Sequence, residues 1–315
     1  MADVIKKATR ESYGEALVEL GEKYDNLVVL DADLAAATKT GVFKKKFPDR
    51  FFDCGIAECD MMGIAAGLST TGLVPFASTF AMFAAGRAYE IVRNSIGYPH
   101  MNVKIGATHA GITVGEDGAT HQCCEDIALM RTIPGMVVIN PCDDIEAKKA
   151  VKAAYLHNGP VYMRFGRLAV PVVTDENDEF EIGKGVQLKD GTDATIIATG
   201  LEVSQALEAY EILKAEGISV RVINIHTIKP LDEEIIIKAA KETGAIVTAE
   251  EHSIIGGLGD AVTSVICENA PVPVEKIGVK DKFGFSGPAA KLIPLFELDA
   301  ESIVKAVKKV IARKN

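Results

Sequence analysis

Short, mostly apolar runs recur along this chain, each followed after a turn by a stretch with helical spacing. The runs at 27–30, 51–54, 73–77, 102–108, 136–139 and 161–165 are largely continuous rather than alternating. A strand with one wet face alternates polar and apolar residues. A continuous run has both faces covered, as in a parallel sheet between two helix layers. Apolar residues at helical spacing predict helices over 4–24 (Ala8, Leu17, Leu20), 58–68, about 80–95, 124–131 and 144–156. The stretch 35–50, with Lys44, Lys45 and Lys46, predicts a solvated loop or short helix.

Residues 170–193 break this rhythm with Pro171, the run T-D-E-N-D-E-F-E, then Gly183, Gly185, Asp190 and Gly191. Such polar, turn-rich passages mark domain boundaries. The alternation then resumes, with strands at 194–198, 219–224, 245–249 and 274–279 and helices at 202–215, 232–243, 258–268 and 299–313. The expected fold is α/β: two doubly wound domains with mostly parallel sheets, at 1–170 and 193–315, joined by a linker at 171–192.

The 315 residues carry a net charge of −10, with 48% hydrophobic and 25% charged residues. That is an ordinary soluble composition, and its acidity argues against nucleic acid or an anionic membrane as a partner. The opening M-A-D-V-I-K-K lacks an apolar signal-type run, and the apolar region 54–86 carries Glu58 and Asp60; neither reads as a leader or a span. Six cysteines without a C-x-x-C fit a reduced, cytoplasmic protein rather than a disulfide scaffold or zinc site.

Open α/β sheets bind ligands beyond the carboxyl ends of their strands. Glu58 sits on such a hinge, in F-F-D-C-G-I-A-E-C-D-M-M, between a strand and a helix and among apolar neighbours. Its carboxylate has two readings: a cap on the first helical turn, or a hydrogen-bond partner for a ligand. The loop His109–Gln122, H-A-G-I-T-V-G-E-D-G-A-T-H-Q, follows another strand and gathers His109, Asp117 and His121 among glycines; it reads as a binding loop. A metal site from those three residues is disfavoured, since flexible glycines would hold the ligands poorly. Arg10, Arg164 and Arg167 suit a phosphate or carboxylate, though a lone arginine usually pairs with a surface acid. G-G-L-G-D-A-V at Gly256–Val262 misses the third glycine of a dinucleotide loop and reads as a loop-to-helix turn.

Taken in order, several of these motifs resemble the transketolase family. They are G-I-A-E ending at Glu58, P-F-A-S-T-F-A-M-F at Pro75–Phe83, the His109–Gln122 loop, I-P-G-M-V-V-I-N-P-C-D-D, and G-P-V-Y-M-R-F-G-R. A-T-I-I-A-T-G and V-I-N-I-H-T-I-K-P-L-D extend the likeness into the second half. The resemblance implies a pyrimidine-binding domain followed by a transketolase C-terminal domain, thiamine diphosphate as cofactor, and transfer of a two-carbon ketol unit from a ketose phosphate to an aldose phosphate.

The resemblance also implies roles. Glu58 would hydrogen-bond the aminopyrimidine ring nitrogen and promote ionisation of the thiazolium carbon, in a pocket that excludes water. Phe83 would stack on that ring, with Phe80 lining the pocket and Asp33 lining the cofactor cleft. His109 and His121 would contact substrate, His121 also moving protons. Asp117 would bond a hydroxyl, and Arg10 and Arg167 would hold the sugar phosphate. Two positions depart from the family pattern: a phosphate-binding serine is Ala37, and a third aromatic is Gly86.

The family's diphosphate-binding half, with its G-D-G motif, has no counterpart in the sequence. The expectation is therefore the C-terminal subunit of a split transketolase. Mg²⁺ would be held mainly by an N-terminal partner subunit and no metal by this chain, in a heterotetramer whose interface uses residues 58–86. Other readings are 1-deoxyxylulose-phosphate synthase-like chemistry, the beta subunit of a 2-oxo acid dehydrogenase, and a non-catalytic regulatory relative.

Overall fold

The computed structural model describes residues 5–314. Its larger sheet has seven strands, in spatial order Thr227–Lys229, Val137–Ile139, Val161–Arg164, Lys104–Thr108, Val74–Phe80, Leu27–Asp31 and Phe51–Asp53. All pair in parallel except the first, an antiparallel edge strand. Helices cover both faces, as the continuous apolar strands require. On one face Met61, Met62, Ala65, Val92, Ile96, Ile127 and Met130 pack over the sheet. On the other lie Tyr13, Leu17 and Leu20 of helix Thr9–Gly21 and Ala147, Ala150 and Val151 of helix Asp144–Leu156.

A five-stranded sheet follows, in the order Val274–Val279, Ile246–Ser253, Ala194–Ala198, Val220–Asn224 and Val186–Lys189, the last antiparallel. Helices Glu202–Ala215 and Ala300–Ile311 cover one face, Glu233–Thr243 and Leu258–Asn269 the other. Both units are thus doubly wound with mostly parallel sheets, the fold class expected.

The structure departs from the sequence reading in several places. The first helix begins at Thr9, because Lys6–Ala8 pairs antiparallel with Ala169–Pro171 instead; the expected start at Val4 lies outside the described residues. Within 171–192, Val186–Lys189 is the edge strand of the second sheet. Thr227–Lys229 crosses back from the second half to close the first sheet. The expected helix at 80–95 is two π-helical segments, Met82–Arg87 and Val92–Gly97, flanking one α-turn.

Close approaches set the position of the first helix. Tyr13, fully buried, stacks on Phe165 with ring centroids 4.7 Å apart and hydrogen-bonds Ser78 Oγ at 2.6 Å. Gly106 makes this possible, since a Cβ there would lie 2.1 Å from the tyrosine oxygen. Arg10, three residues earlier and on the same helical face, is thereby delivered to the carboxyl end of the sheet.

Candidate active site

The candidate residues of the first half lie at or beyond the carboxyl ends of parallel strands, or on helix Thr9–Gly21. Phe80 ends strand Val74–Phe80; its ring stacks on His109, which follows the neighbouring central strand Lys104–Thr108, with centroids 3.8 Å apart at 25°. Phe83 lies parallel to Phe80 at 5.8 Å, and His121 meets Phe83 edge-on at 5.5 Å and Phe80 at 6.3 Å. The folded chain gathers these four rings into one cluster.

Arg10 joins the cluster from the helix. Its Nη1 lies 3.0 Å from His109 Nε2 and donates to the Ala37 carbonyl at 3.0 Å. A guanidinium only donates, so His109 Nε2 accepts, and its proton resides on Nδ1, which donates to Thr108 Oγ1 at 2.9 Å. Burial, then the charges of Arg10, Arg167, His121 and Lys39, push His109 down to about 3. His109 is therefore a neutral ring that orients Arg10. Arg10 itself is lowered by burial and by the neighbouring charge of Arg167. His121 pairs through Nδ1 with Thr120 Oγ1 at 2.9 Å, leaving Nε2 for a ligand.

Glu58 opens helix Glu58–Ser69 and is only 3% exposed. Among the described residues its Oε2 has no hydrogen-bond partner, and its nearest cation is Arg87 Nη1 at 3.8 Å. The preceding Ala57 supplies no side-chain cap, yet the carboxylate is not spent on the free helical amides. A buried carboxylate oxygen left without a donor is costly. Arg87 closes the π-segment that carries Phe83, which places Glu58 beside the aromatic cluster. In that same segment the Met82 side chain lies over Gly86, its Cε 2.3 Å from where a Cβ would be.

Arg167 pairs with Glu116 at 2.9 Å and with the Val114 carbonyl. Asp117 and Asp33 are exposed, Asp33 held in the left-handed region with its N–H donating to Asp53. Among the described residues no group of three His, Cys, Asp or Glu is arranged to hold a metal ion, His109, Asp117 and His121 included.

Other residues hold the site without touching it. Asp31 accepts from Leu34 N, Thr38 Oγ1 and Thr40 Oγ1 at 2.6–2.8 Å, and burial raises it to about 6. The glycine-rich loop is not floppy. Gln122 Nε2 donates to the Ile112 and Phe285 carbonyls, Glu251 Oε1 accepts from Thr113 N at 2.7 Å, and Ser286 Oγ donates to the Glu116 carbonyl. Glu251, Phe285 and Ser286 belong to the second unit. Arg164 is structural: it pairs with Asp126 at 2.9 Å and donates to the Glu251 carbonyl, and the carboxylates hold it protonated despite burial. Gly256–Val262 is a loop-to-helix turn whose amides at Leu258 and Gly259 are taken by Glu250. Sequence offered little signal for Glu251, since its partner Thr113 lies 138 residues away along the chain.

Comparison with known proteins agrees with this architecture. Residues 5–172 match the family model of the transketolase pyrimidine-binding domain, and residues 183–303 that of the transketolase C-terminal domain. A putative transketolase C-terminal section of Methanocaldococcus jannaschii is 55% identical over 96% of both chains. A 6-deoxy-6-sulfo-D-fructose transketolase subunit of Clostridium is 44% identical over 97% of this chain and 95% of its own. One of the subunits of an apulose-4-phosphate transketolase of Phocaeicola vulgatus is 42% identical, over 95% and 96%. Human transketolase is 37% identical over 98% of this chain, which spans 50% of its length. Among solved structures, a split-gene transketolase in an inactive β4 tetramer superposes with a TM-score of 0.92 at 54% identity, over 98% of this chain and 99% of that one. The chain belongs to the transketolase family, as a counterpart of its C-terminal section.

Proposed function

We propose that this chain is the C-terminal subunit of a thiamine diphosphate-dependent transketolase, transferring a two-carbon ketol unit from a ketose phosphate to an aldose phosphate. It works with an N-terminal subunit that holds the diphosphate and Mg²⁺, in a heterotetramer. The observation that carries the reading is Glu58: a buried carboxylate oxygen without a partner among the described residues, on the helix packed against the segment that bears Phe83, at the carboxyl end of a parallel sheet. Its relatives include a protein described as a transketolase C-terminal section and others described as subunits, which supports a two-chain enzyme.

The residues present fit the aminopyrimidine half of the cofactor. When bound, the cofactor supplies the carbon nucleophile that carries the ketol unit. Glu58 supplies the acceptor that holds the ring nitrogen and controls its proton, in a pocket where water does not compete. Phe83, with Phe80 behind it, gives the flat apolar face for the ring, and Asp33 lines the cleft. His121 Nε2 exchanges a proton with the substrate's oxygen. Asp117 accepts from a hydroxyl. Arg10 and Arg167 hold the phosphate, with neutral His109 fixing the angle of the Arg10 fork and lining the substrate path.

The test is Glu58→Gln in the reconstituted complex, assayed with a ketose phosphate and an aldose phosphate. Removing a positioned proton-transfer group lowers kcat by about 10²–10⁴-fold, with assembly intact by gel filtration. A fully active variant overturns the assignment.

A further inference from the structure

We propose that Lys39 is a third cationic ligand for the anionic end of the substrate, beside Arg10 and Arg167, and that it sets the preference for phosphorylated over uncharged sugars. The inference deepens the sugar-phosphate reading above and rests on it.

The turn at 37–40 is fixed from below. Thr38 and Thr40 are fully buried, and both hydroxyls donate to Asp31 Oδ2, at 2.7 and 2.8 Å. Lys39, between them, carries the polar side chain of the turn that Asp31 does not hold. Ala37 contributes only its carbonyl, which Arg10 Nη1 already holds. The backbone of the turn is pressed onto the helix that carries Arg10: a Cβ on Gly14 would lie 2.4 Å from the Lys39 carbonyl oxygen. Lys39 and Arg10 are therefore locked on one platform.

Lys39 also adopts a left-handed backbone, φ 71° and ψ 8°, a region that few non-glycine residues occupy. Asp33 (φ 61°) and His109 (φ 56°), at the same end of the sheet, share that region. Such conformations persist where the surroundings enforce them, and they cluster at ligand sites. Among the described residues the ammonium pairs with Glu11 Oε1 at 3.7 Å, in a part-exposed pair of the kind worth little. A stronger anion can displace that contact. The charge of Lys39 reaches the site, since it is among those that depress His109. Two relatives are named for substrates bearing a sulfo or a phosphate group; both are anions of the type that a lysine beside two arginines would bind.

The experiment uses the reconstituted two-subunit complex with a saturating uncharged ketose, L-erythrulose, as donor, and with glyceraldehyde 3-phosphate and glyceraldehyde as acceptors. For Lys39→Met the expected result is a roughly tenfold or larger loss of kcat/KM with the phosphorylated acceptor, in KM. Turnover of glyceraldehyde stays within about twofold, and the inhibition constant of inorganic phosphate rises in parallel. Lys39→Arg restores most of the preference, and Lys39→Gly, which suits the left-handed turn, repeats the Met result. An equal loss on both acceptors, or no change on either, overturns the proposal. A wild-type complex that transfers ketol units without favouring the phosphorylated acceptor overturns the phosphate site as a whole, and Lys39 with it.

Discussion

His109 and Arg10 show how one residue's state is decided by its neighbours. The imidazole is buried beneath Phe80 and faces cations, so its neutral form is the one compatible with the fold. A histidine with a folded-state value depressed from 6.5 to about 3 contributes stability that is fully present above 6.5 and lost as pH falls from there towards 3. NMR titration of His109 should show no midpoint above pH 5; a midpoint near 6.5 would contradict the arrangement. His109→Asn should remove part of the acid sensitivity of unfolding between pH 6.5 and 3. Glu58 and both histidines drew attention because they lie on a strand-to-helix hinge or a glycine-rich loop, whereas Phe80 and Phe83 were singled out only through the family resemblance. The neutral state of His109 was not legible, because it depends on burial in the folded chain and on Arg10, 99 residues away in sequence.

The elements themselves were mostly legible, since long apolar runs and helical spacing persist whatever they pack against. What escaped the sequence reading were three-residue strands such as Lys6–Ala8 and Thr227–Lys229, which carry no periodic signal and exist only through their partners. The π-segments at 82–97 were also missed; they share the apolar pattern of an α-helix and differ by register. Contacts between the two units were the other gap. Arg164, whose residue type suggests an anion ligand, instead ties Asp126 of the first unit to the strand bearing Glu251. Arg164→Met leaves Asp126 buried without its charge partner, with only the Tyr162 hydroxyl still donating to it, and should cost about 3–5 kcal/mol in urea unfolding; a loss under about 1 kcal/mol would contradict that role. Glu146 makes a second junction, accepting from Cys142 N and from Asn224 Nδ2 across the units, both at 2.7 Å, and burial raises it to about 7. A carboxyl raised this way stabilises fully below its ordinary value of 4.5, and the contribution is lost as pH rises through 7. Glu146→Gln should therefore flatten the fall in stability between pH 5 and 8. An unchanged slope would show that Glu146 is not its source.

At the scale of the whole molecule, the second unit acts as the brace of the site loop, through Glu251, Phe285 and Ser286, as well as a domain in its own right. Around Glu58 the surface bears Ile56, 76% exposed, with Phe52 and Ile64 also exposed. Apolar side chains gathered there suit a face that a second chain covers. Among the described residues no helix is long and apolar enough to cross a membrane. The central claim, a cofactor site divided between two chains, is tested most directly by calorimetric titration of thiamine diphosphate with Mg²⁺ into this chain alone and then into its complex with the N-terminal subunit. The expected result is no binding to the chain alone and saturable, Mg²⁺-dependent binding to the complex, abolished or much weakened by Glu58→Ala. Tight Mg²⁺-dependent binding to the chain alone, or none to the complex, would contradict it.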